Sequence, residues 1–347
     1  MDTFIAPTDR ADLLRTAVSQ AVEFLREGEA VALPTETVYG LAADALNPAA
    51  VARIFEAKAR PSFDPLIVHL PHRKRLADVA LVPPEMAETV ATLIDKFWPG
   101  PLTLVLPKAP GLPDAVTAGL PTVAVRMSSH PVFKAVVTSF GGPLAAPSAN
   151  RFGRISPTSA AAVMKELEGR IPLILDAGAC PEGIESTIIR IIPTSQGKPI
   201  FRILRAGPLT KEDLQPYGKI EWANGQPDKK GQIPPPEVPG QLPHHYAPST
   251  PLRLLENPQD FLPEPGKRYA LLSYRGDAED GFLDLTEWDH VLVLSPGSGK
   301  LPEAALRFFH CLRTLDELGV DEIISEPVPL RGVGVALMER LRRASRQ

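Results

Sequence analysis

Cysteine is scarce: Cys180 and Cys311 are the two in 347 residues, and they form no CxxC pair. That argues against a disulfide framework and against a cysteine-built zinc site. No apolar run approaches the roughly 18 residues that a membrane helix needs. The opening MDTFIAPTDRAD carries acids early and has no apolar core, so it does not read as a secretory signal. The expectation is a soluble cytoplasmic protein without membrane contact. Glycine, 25 of 347, shows no triplet period, which excludes a fibrous chain. No internal repeat is visible. Charge of one sign is also missing, with 37 Lys and Arg against 41 Asp and Glu. Hydrophobic residues at 44% and charged residues at 22% exclude wholesale disorder.

Proline is abundant: 39 of 347 is about twice the usual roughly 5%. Eight prolines fall between Pro216 and Pro248, in a stretch of poor periodicity with three basic and three acidic side chains. Pro234 to Pro236 reads as extended polyproline, a semi-rigid spacer. The flanks differ in charge: 22 basic and 22 acidic residues over 1–215, then 12 and 16 over 249–347. These shifts divide the chain into a first domain at 1–215, a linker at 216–248 and a small domain at 249–347. Two domains also suit the length.

The first domain alternates helix and strand patterns. Leu13, Leu14, Ala17, Val18, Ala21 and Leu25 recur at helical spacing, with Gly28 as the stop. Asn47-Pro48 marks a helix start running to about Lys58. Further helices are expected over Pro84–Phe97, His130–Phe140 and Thr158–Glu168. Strands are expected at Ala30–Leu33, Leu66–Leu70, Leu102–Leu106, Thr122–Arg126, Pro143–Ala146, Leu173–Asp176, Ser186–Ile192 and Ile200–Leu204. This predicts an α/β fold, a mixed sheet covered by helices. In the small domain, strands at Leu252–Leu255, Tyr269–Ser273, His290–Leu294 and Glu322–Ser325 alternate with helices at Pro302–Leu318 and Val335–Ala344. That pattern predicts an open parallel, Rossmann-like sheet.

Four places have chemistry-bearing residues. Leu33-Pro34-Thr35-Glu36-Thr37-Val38-Tyr39-Gly40 follows a buried strand, where α/β sheets place ligands, though a hydroxyl-capped turn explains it equally well. Lys58-Ala59-Arg60-Pro61 puts two cations at a helix end, suited to a polyphosphate or simply to the helix dipole. Pro61 and Pro65 would hold these cations in fixed relation to the strand ending at His69. Pro147-Ser148-Ala149-Asn150 and then Ser156-Pro157-Thr158 precede a helix, so Ser156 is an anion ligand, an N-cap or both at once. Glu185-Ser186-Thr187 opens a strand. Pro296-Gly297-Ser298-Gly299-Lys300 lacks the P-loop's first glycine and its final Ser or Thr, so it reads as a turn. His244-His245 lacks a spaced third metal ligand, and Arg340, Arg342, Arg343 and Arg346 read as a solvated helix end.

Taken in order, PTETVYGL, KARP, PLIVH, WPGPLT, TVAVR, APSAN, SPT, EST and RAGP closely resemble the YrdC-like threonylcarbamoyl-AMP synthases over about 200 residues. His245-Tyr246-Ala247-Pro248 and Arg331-Gly332-Val333-Gly334-Val335-Ala336 resemble the extra C-terminal domain of the two-domain form. The resemblance implies a twisted mixed sheet with a concave cationic face. It implies formation of threonylcarbamoyl-adenylate and pyrophosphate from L-threonine, bicarbonate and ATP, with Mg2+ held mainly by ATP. Another enzyme system then moves the threonylcarbamoyl group to an adenosine beside the anticodon of certain tRNAs, and any tRNA contact by this chain would be weak. By the family pattern Thr37, His69, Arg126 and Ser186 (or its neighbour Thr187) surround threonine. Lys58, Arg60, Asp64, Thr122, Ser148, Asn150, Ser156 and Arg205 surround the nucleotide, with Lys58 and Arg60 as the catalytic cations.

Three departures stand out: Asp64 where relatives often carry Asn, Ala146 where some carry a hydroxyl, and a less basic stretch before His245-Tyr246. A lid formed by the linker, with Tyr246 as its tip, would shield the labile adenylate from water. Two other readings compete. One is a double-stranded RNA-binding module, against which the first domain's zero net charge counts. The other is a carbamoyl-adenylate enzyme of hydrogenase maturation, whose chains carry cysteine-rich regions that two cysteines cannot supply.

Overall fold

The computed structural model describes residues 2–195, 197–223, 236–241 and 245–345. Pro234 and Pro235 of the expected polyproline run, His244 and Arg346 lie outside the described residues.

One large sheet is built from β1 (Phe4–Pro7), β2 (Val31–Leu33), β3 (Gly40–Asp44), β4 (Ile67–His69), β5 (Leu102–Pro107), β6 (Thr122–Arg126), β7 (Leu144–Ala145), β8 (Leu173–Asp176), β9 (Thr187–Ile192), β10 (Ile200–Arg205) and β11 (Lys219–Trp222). The spatial order is β1-β8-β2-β3-β7-β4-β6-β5-β9-β10-β11. It is mixed: β4 pairs parallel with β6, while β5 pairs antiparallel with β6 and parallel with β9. Strand β11 extends the sheet into the stretch read as linker. Strands β1 and β11 escape a pattern reading because edge strands need no apolar alternation: Phe4 is 61% exposed and Trp222 43%. Strand β3 escapes it because Gly-Leu-Ala-Ala-Asp, directly after the polar turn, has neither alternation nor a β-branched or aromatic residue to mark it.

The helices of this part are α1 (Ala11–Arg26), α2 (Pro48–Lys58), α3 (Ala87–Phe97), α4 (Asp114–Thr117), α5 (Pro131–Phe140), α6 (Ala160–Leu167) and α7 (Lys211–Leu214). Asn47 Oδ1 accepts from the backbone N–H of Ala49 and Ala50, and Pro48 supplies the pre-set first turn of α2. The cap of α6 is Ser159, which accepts from Ala162 N; the alternative reading of Ser156 as that cap is corrected. Ser156 lies upstream, and its hydroxyl bonds Glu185 instead.

Side chains alternate across the strands and so divide the core in two. Leu104, Leu106, Val123 and Val125 join Val51 and Ile54 of α2, Leu93 of α3 and Val163 of α6 on one face. On the other face, Val31, Leu33, Leu173 and Leu175 pack against α1 and α5. Farther along that face, among the described residues, Ile67, Val105, Ala124, Ile188 and Leu204 cluster with fully buried Val238 of the linker rather than with a helix.

The small domain matches its expectation. Strands β12 (Leu252–Leu254), β13 (Tyr269–Ser273), β14 (His290–Val293) and β15 (Glu322–Ser325) pair parallel throughout in the order β12-β15-β13-β14. Helices α8 (Leu301–Asp316) and α9 (Gly334–Ala344) pack on it. One apolar cluster joins the two parts, with Val38, Ile155, Ile184 and Ala206 against Tyr246, Ala305, Phe309 and Leu337. Gly183 sits so close to α8 that an added Cβ would lie 2.4 Å from Ala305 O. No helix among the described residues is long and apolar enough to cross a membrane.

Candidate active site

Parallel pairing of β4 with β6 sets His69 beside Arg126 at the carboxyl ends of both strands. The end of β10 carries Arg205, and the approach to β9 carries Glu185 and Ser186. These ends converge with the loop before β3 and the loop after β7. They line a narrow, partly open cavity of about 40 Å3, walled by Thr37, Arg60, His69, Arg126, Ser148, Glu185, Ser186 and Arg205. Pro239, Gly240 and His245 of the linker line it as well. A roomier groove between α1 and α5 lies elsewhere, lined by residues such as Leu14, Arg26 and Ser139, and holds none of the candidate side chains.

The first loop is a hydroxyl-capped turn that also lines the cavity. Thr35 Oγ1 accepts from the backbone N–H of Thr37 and Val38 and so caps the turn. Thr37 Oγ1 then receives Arg126 Nη1 at 3.1 Å. Arg126 Nη2 lies 2.6 Å from Glu36 Oε1, and Ser128 donates to the same carboxylate. Arg126 Nε has no hydrogen-bond partner, which leaves a donor for an incoming acid. His69 is buried against Phe133, with ring centroids 4.7 Å apart, and its Nδ1 is unpartnered. Burial, with Arg126 nearby, pushes its pKa well below the usual histidine value, so the ring is neutral.

The helix end at Lys58 is stitched down. Ala59 adopts φ 49°, and bonds from Ala59 N to Glu56 O and from Arg60 N to Phe55 O make a Schellman-type stop. A left-handed alanine costs roughly 1–2 kcal/mol, and it turns Arg60 toward the cavity. Arg60 Nε and Nη2 bond the carbonyls of Asp64 and Pro65, and Nη2 pairs with Asp64 Oδ2 at 2.9 Å. Burial pushes the Asp64 carboxyl up, against the pull of Arg60.

Seven expected residues line one cavity: Thr37, Arg60, His69, Arg126, Ser148, Ser186 and Arg205. Ser186 rather than Thr187 faces it, because Thr187 Oγ1 is used on Leu209 O. Six do not line it. Lys58, 1% exposed, donates to the carbonyls of Ser148 and Asn150 and holds that loop from behind. Burial, with Arg60 adding to it, lowers its pKa well below the usual lysine value. The Asn150 amide bonds Arg151 O and Arg154 O. Asp64 is buried behind Arg60, and Ser156 bonds Glu185. Thr122 stands at the far end of β6, opposite Pro107, about 13 Å from Arg126 at the usual strand rise. Tyr246 is 1% exposed, with its ring 5.6 Å from Phe309 and the Arg340 guanidinium 5.4 Å above it. It is wedged between the domains, and its neighbour His245 reaches the cavity.

The places of Glu36 and His245 at the site went unforeseen although both lie in segments singled out from the sequence, since neither has a spaced partner that would signal its role. The expectation that Arg340 lies on a solvated helix end is corrected: it is 1% exposed and paired with Glu185. Its helix face turns inward, a consequence of docking that local sequence does not encode. Among the described residues no group of three or more His, Cys, Asp or Glu can hold a metal ion.

Comparison with known proteins agrees along the whole chain. Residues 23–207 match the Sua5–YciO–YrdC family model, described as telomere recombination. Residues 209–346 match the model described as threonylcarbamoyl-AMP synthase, C-terminal domain. Threonylcarbamoyl-AMP synthase of Bacillus subtilis is 41% identical over 99% of this chain and 96% of its own length. The chain belongs to the threonylcarbamoyl-AMP synthase family. The Pyrococcus abyssi synthase is 40% identical over 94% of this chain and 93% of its own. A crystal structure of P. abyssi Sua5 complexed with L-threonine superposes with a TM-score of 0.81 at 36% identity, covering 99% of this chain and 98% of that one. Both family-model segments are therefore present in this chain.

Proposed function

We propose that this chain forms threonylcarbamoyl-AMP and pyrophosphate from L-threonine, bicarbonate and ATP. The observation that carries the reading is the buried Arg126, oriented by Glu36 and Thr37, with Nε unpartnered beside neutral His69. A guanidinium so held suits an amino-acid carboxylate. Across the same cavity Arg60, Arg205 and Ser148 suit phosphates.

The amine of threonine takes up bicarbonate with loss of water, giving a carbamate. A carbamate oxygen attacks the α-phosphorus of ATP and pyrophosphate leaves. Such a step needs positioning and charge neutralisation more than a protein nucleophile. Arg60 and Arg205 are pre-oriented because carbonyls of Asp64, Pro65, Ser186 and Pro239 already hold part of each guanidinium. Lys58 acts from beneath, by fixing the Ser148–Asn150 loop. A magnesium ion fits as cargo of the triphosphate, where it would neutralise phosphate charge. Asp64 offers it nothing directly, being turned to Arg60.

Segment 236–241 roofs the site. Glu237 pairs with Arg190, Gln241 bonds Leu204 O, and Pro239 O accepts from Arg205. The roof lifts for nucleotide entry and excludes water from the adenylate once reseated. The product passes, in the cytoplasm, to machinery that transfers the group to tRNA.

The test is pyrophosphate release, which should require threonine, bicarbonate and ATP together. A site that hydrogen-bonds the threonine hydroxyl discriminates more strongly against valine than serine. Serine should turn over weakly and valine negligibly; equal turnover of valine, or release without any amino acid, overturns the reading.

A further inference from the structure

Glu185 and Ala206 flank the two substrate-facing residues Ser186 and Arg205, and both are gripped by one turn of α9 in the small domain. Arg340 Nε donates to Glu185 Oε2 at 2.8 Å, and Nη2 lies 2.8 Å from the same oxygen. Nη1 donates to Ala206 O at 3.0 Å and to Ala336 O of its own helix at 2.9 Å. Glu339 Oε2 accepts from Ala206 N at 3.2 Å. The other oxygen of Glu185 accepts from Ser156.

The grip reaches the cavity through short, stiff links. Arg205 Nε and Nη2 donate to Ser186 O at 3.1 and 3.0 Å, and Nη2 also donates to Ser186 Oγ. Gly207 lies so close to this strand that an added Cβ would stand 2.5 Å from Glu185 O and Thr187 N. The approach to β9 and the end of β10 are thus pressed together backbone on backbone. Whatever fixes residues 185 and 206 fixes Ser186 and Arg205. Arg340 itself is not on the cavity wall, so its influence runs through these neighbours.

We propose that Arg340 is a positioning residue for the active site, holding Glu185 and the Ala206 carbonyl so that Ser186 and Arg205 take their working places only when the small domain is seated. The proposal rests on the synthase reading above. The planar fork places separate nitrogens on the carboxylate and on the carbonyl; a lysine keeps the charge but offers one nitrogen and cannot reproduce that spacing. Misplacement of a reacting geometry by about 1 Å costs on the order of a hundredfold in rate.

The experiment compares pyrophosphate release by wild type, Arg340→Lys, Arg340→Ala and Lys165→Ala, the last removing a surface ion pair to Glu317 across the same interface. Wild-type turnover is measured first; its absence overturns the synthase reading itself, separately from any variant. Arg340→Lys should stay folded, lose about ten- to a hundredfold in kcat/KM, and show a raised threonine KM together with a lowered kcat. A merely structural arginine would reduce the folded fraction, and so the apparent kcat, without moving KM. Added guanidinium should restore part of the activity of Arg340→Ala, and Lys165→Ala should match wild type. If Arg340→Lys fails to fold, the double variant Arg340→Met with Glu185→Gln, which removes both charges, takes its place with the same expected loss. Wild-type kinetic constants in the folded variant, or a loss in kcat alone that guanidinium does not rescue, overturn the proposal.

Discussion

The two sheets divide the work unequally. The large sheet mixes strand directions, so the start of β9 meets the ends of β4, β6 and β10 in one place. There it buries Glu36, Arg60, Asp64, Arg126, Glu185 and Arg205, and it holds an alanine in a left-handed conformation. The small sheet is parallel throughout, and its outer core of Leu255, Phe261, Tyr269, Leu271, Phe282 and Ile324 is apolar. Among its few buried charges, Arg340 is turned away to pair with the large domain. Buried charge and backbone strain collect where a site must be preorganised; the regular sheet supplies a wall and a grip.

Removing one member of a buried pair in the large domain should give the largest effect. Arg126→Ala leaves Glu36 buried without its cation, at a cost of about 3–5 kcal/mol. Threonine-dependent turnover of the folded remainder should fall about a hundredfold, read by kinetics alongside thermal unfolding. Phe261→Ala makes the contrasting lesion in the small domain. It should also cost about 3–5 kcal/mol, yet leave kcat/KM per folded molecule unchanged; a kinetic loss would show that the outer small sheet shares in the site.

Lys58→Met sharpens the distinction between binding a phosphate and holding a loop. Loss of its charged hydrogen bonds to Ser148 O and Asn150 O should cost about 1.5–3 kcal/mol, and turnover should fall together with the melting temperature. A loss of turnover with unchanged melting would return Lys58 to direct phosphate contact. His245 gives a pH test at the seam between the domains. Burial, despite Glu185 and with Arg60, Lys58 and Arg205 adding to it, pushes its pKa down to about 3. The unfolded chain binds this proton near pH 6.5, so stability falls as pH drops from about 6.5 toward 3. Between pH 7 and pH 5 the loss from this group is about 2 kcal/mol, and His245→Gln should remove it from the unfolding curve. The exposed Lys165–Glu317 pair should contribute least, about 0–1 kcal/mol; Lys165→Ala should barely shift unfolding.

Periodicity suffices where burial follows local pattern. Strands β6, β8, β13 and β15 appear at the residues their apolar runs mark, and α5 starts at Pro131 because proline pre-sets its first turn. It fails at β1 and β11, whose exposed edges need no apolar stripe, and at Ser156, whose hydroxyl serves a carboxylate 29 positions away rather than a helix.

By itself the sequence determined the two-part α/β architecture, the parallel small sheet and an ordered set of motifs specific enough to indicate the chemistry. Which motif residues touch the cavity was decided by tertiary structure. Arg126 meets Thr37 across 89 positions, and Lys58 meets Ser148 across 90. Arg340 meets Glu185 across 155. A cation's role depends on which acceptors surround it after burial, since a desolvated ammonium or guanidinium must find partners. Lys58 finds carbonyls, Arg340 finds a carboxylate, and Arg126 keeps one donor without a partner beside the cavity. Local sequence offers each of them the same charge, and only packing assigns the partner.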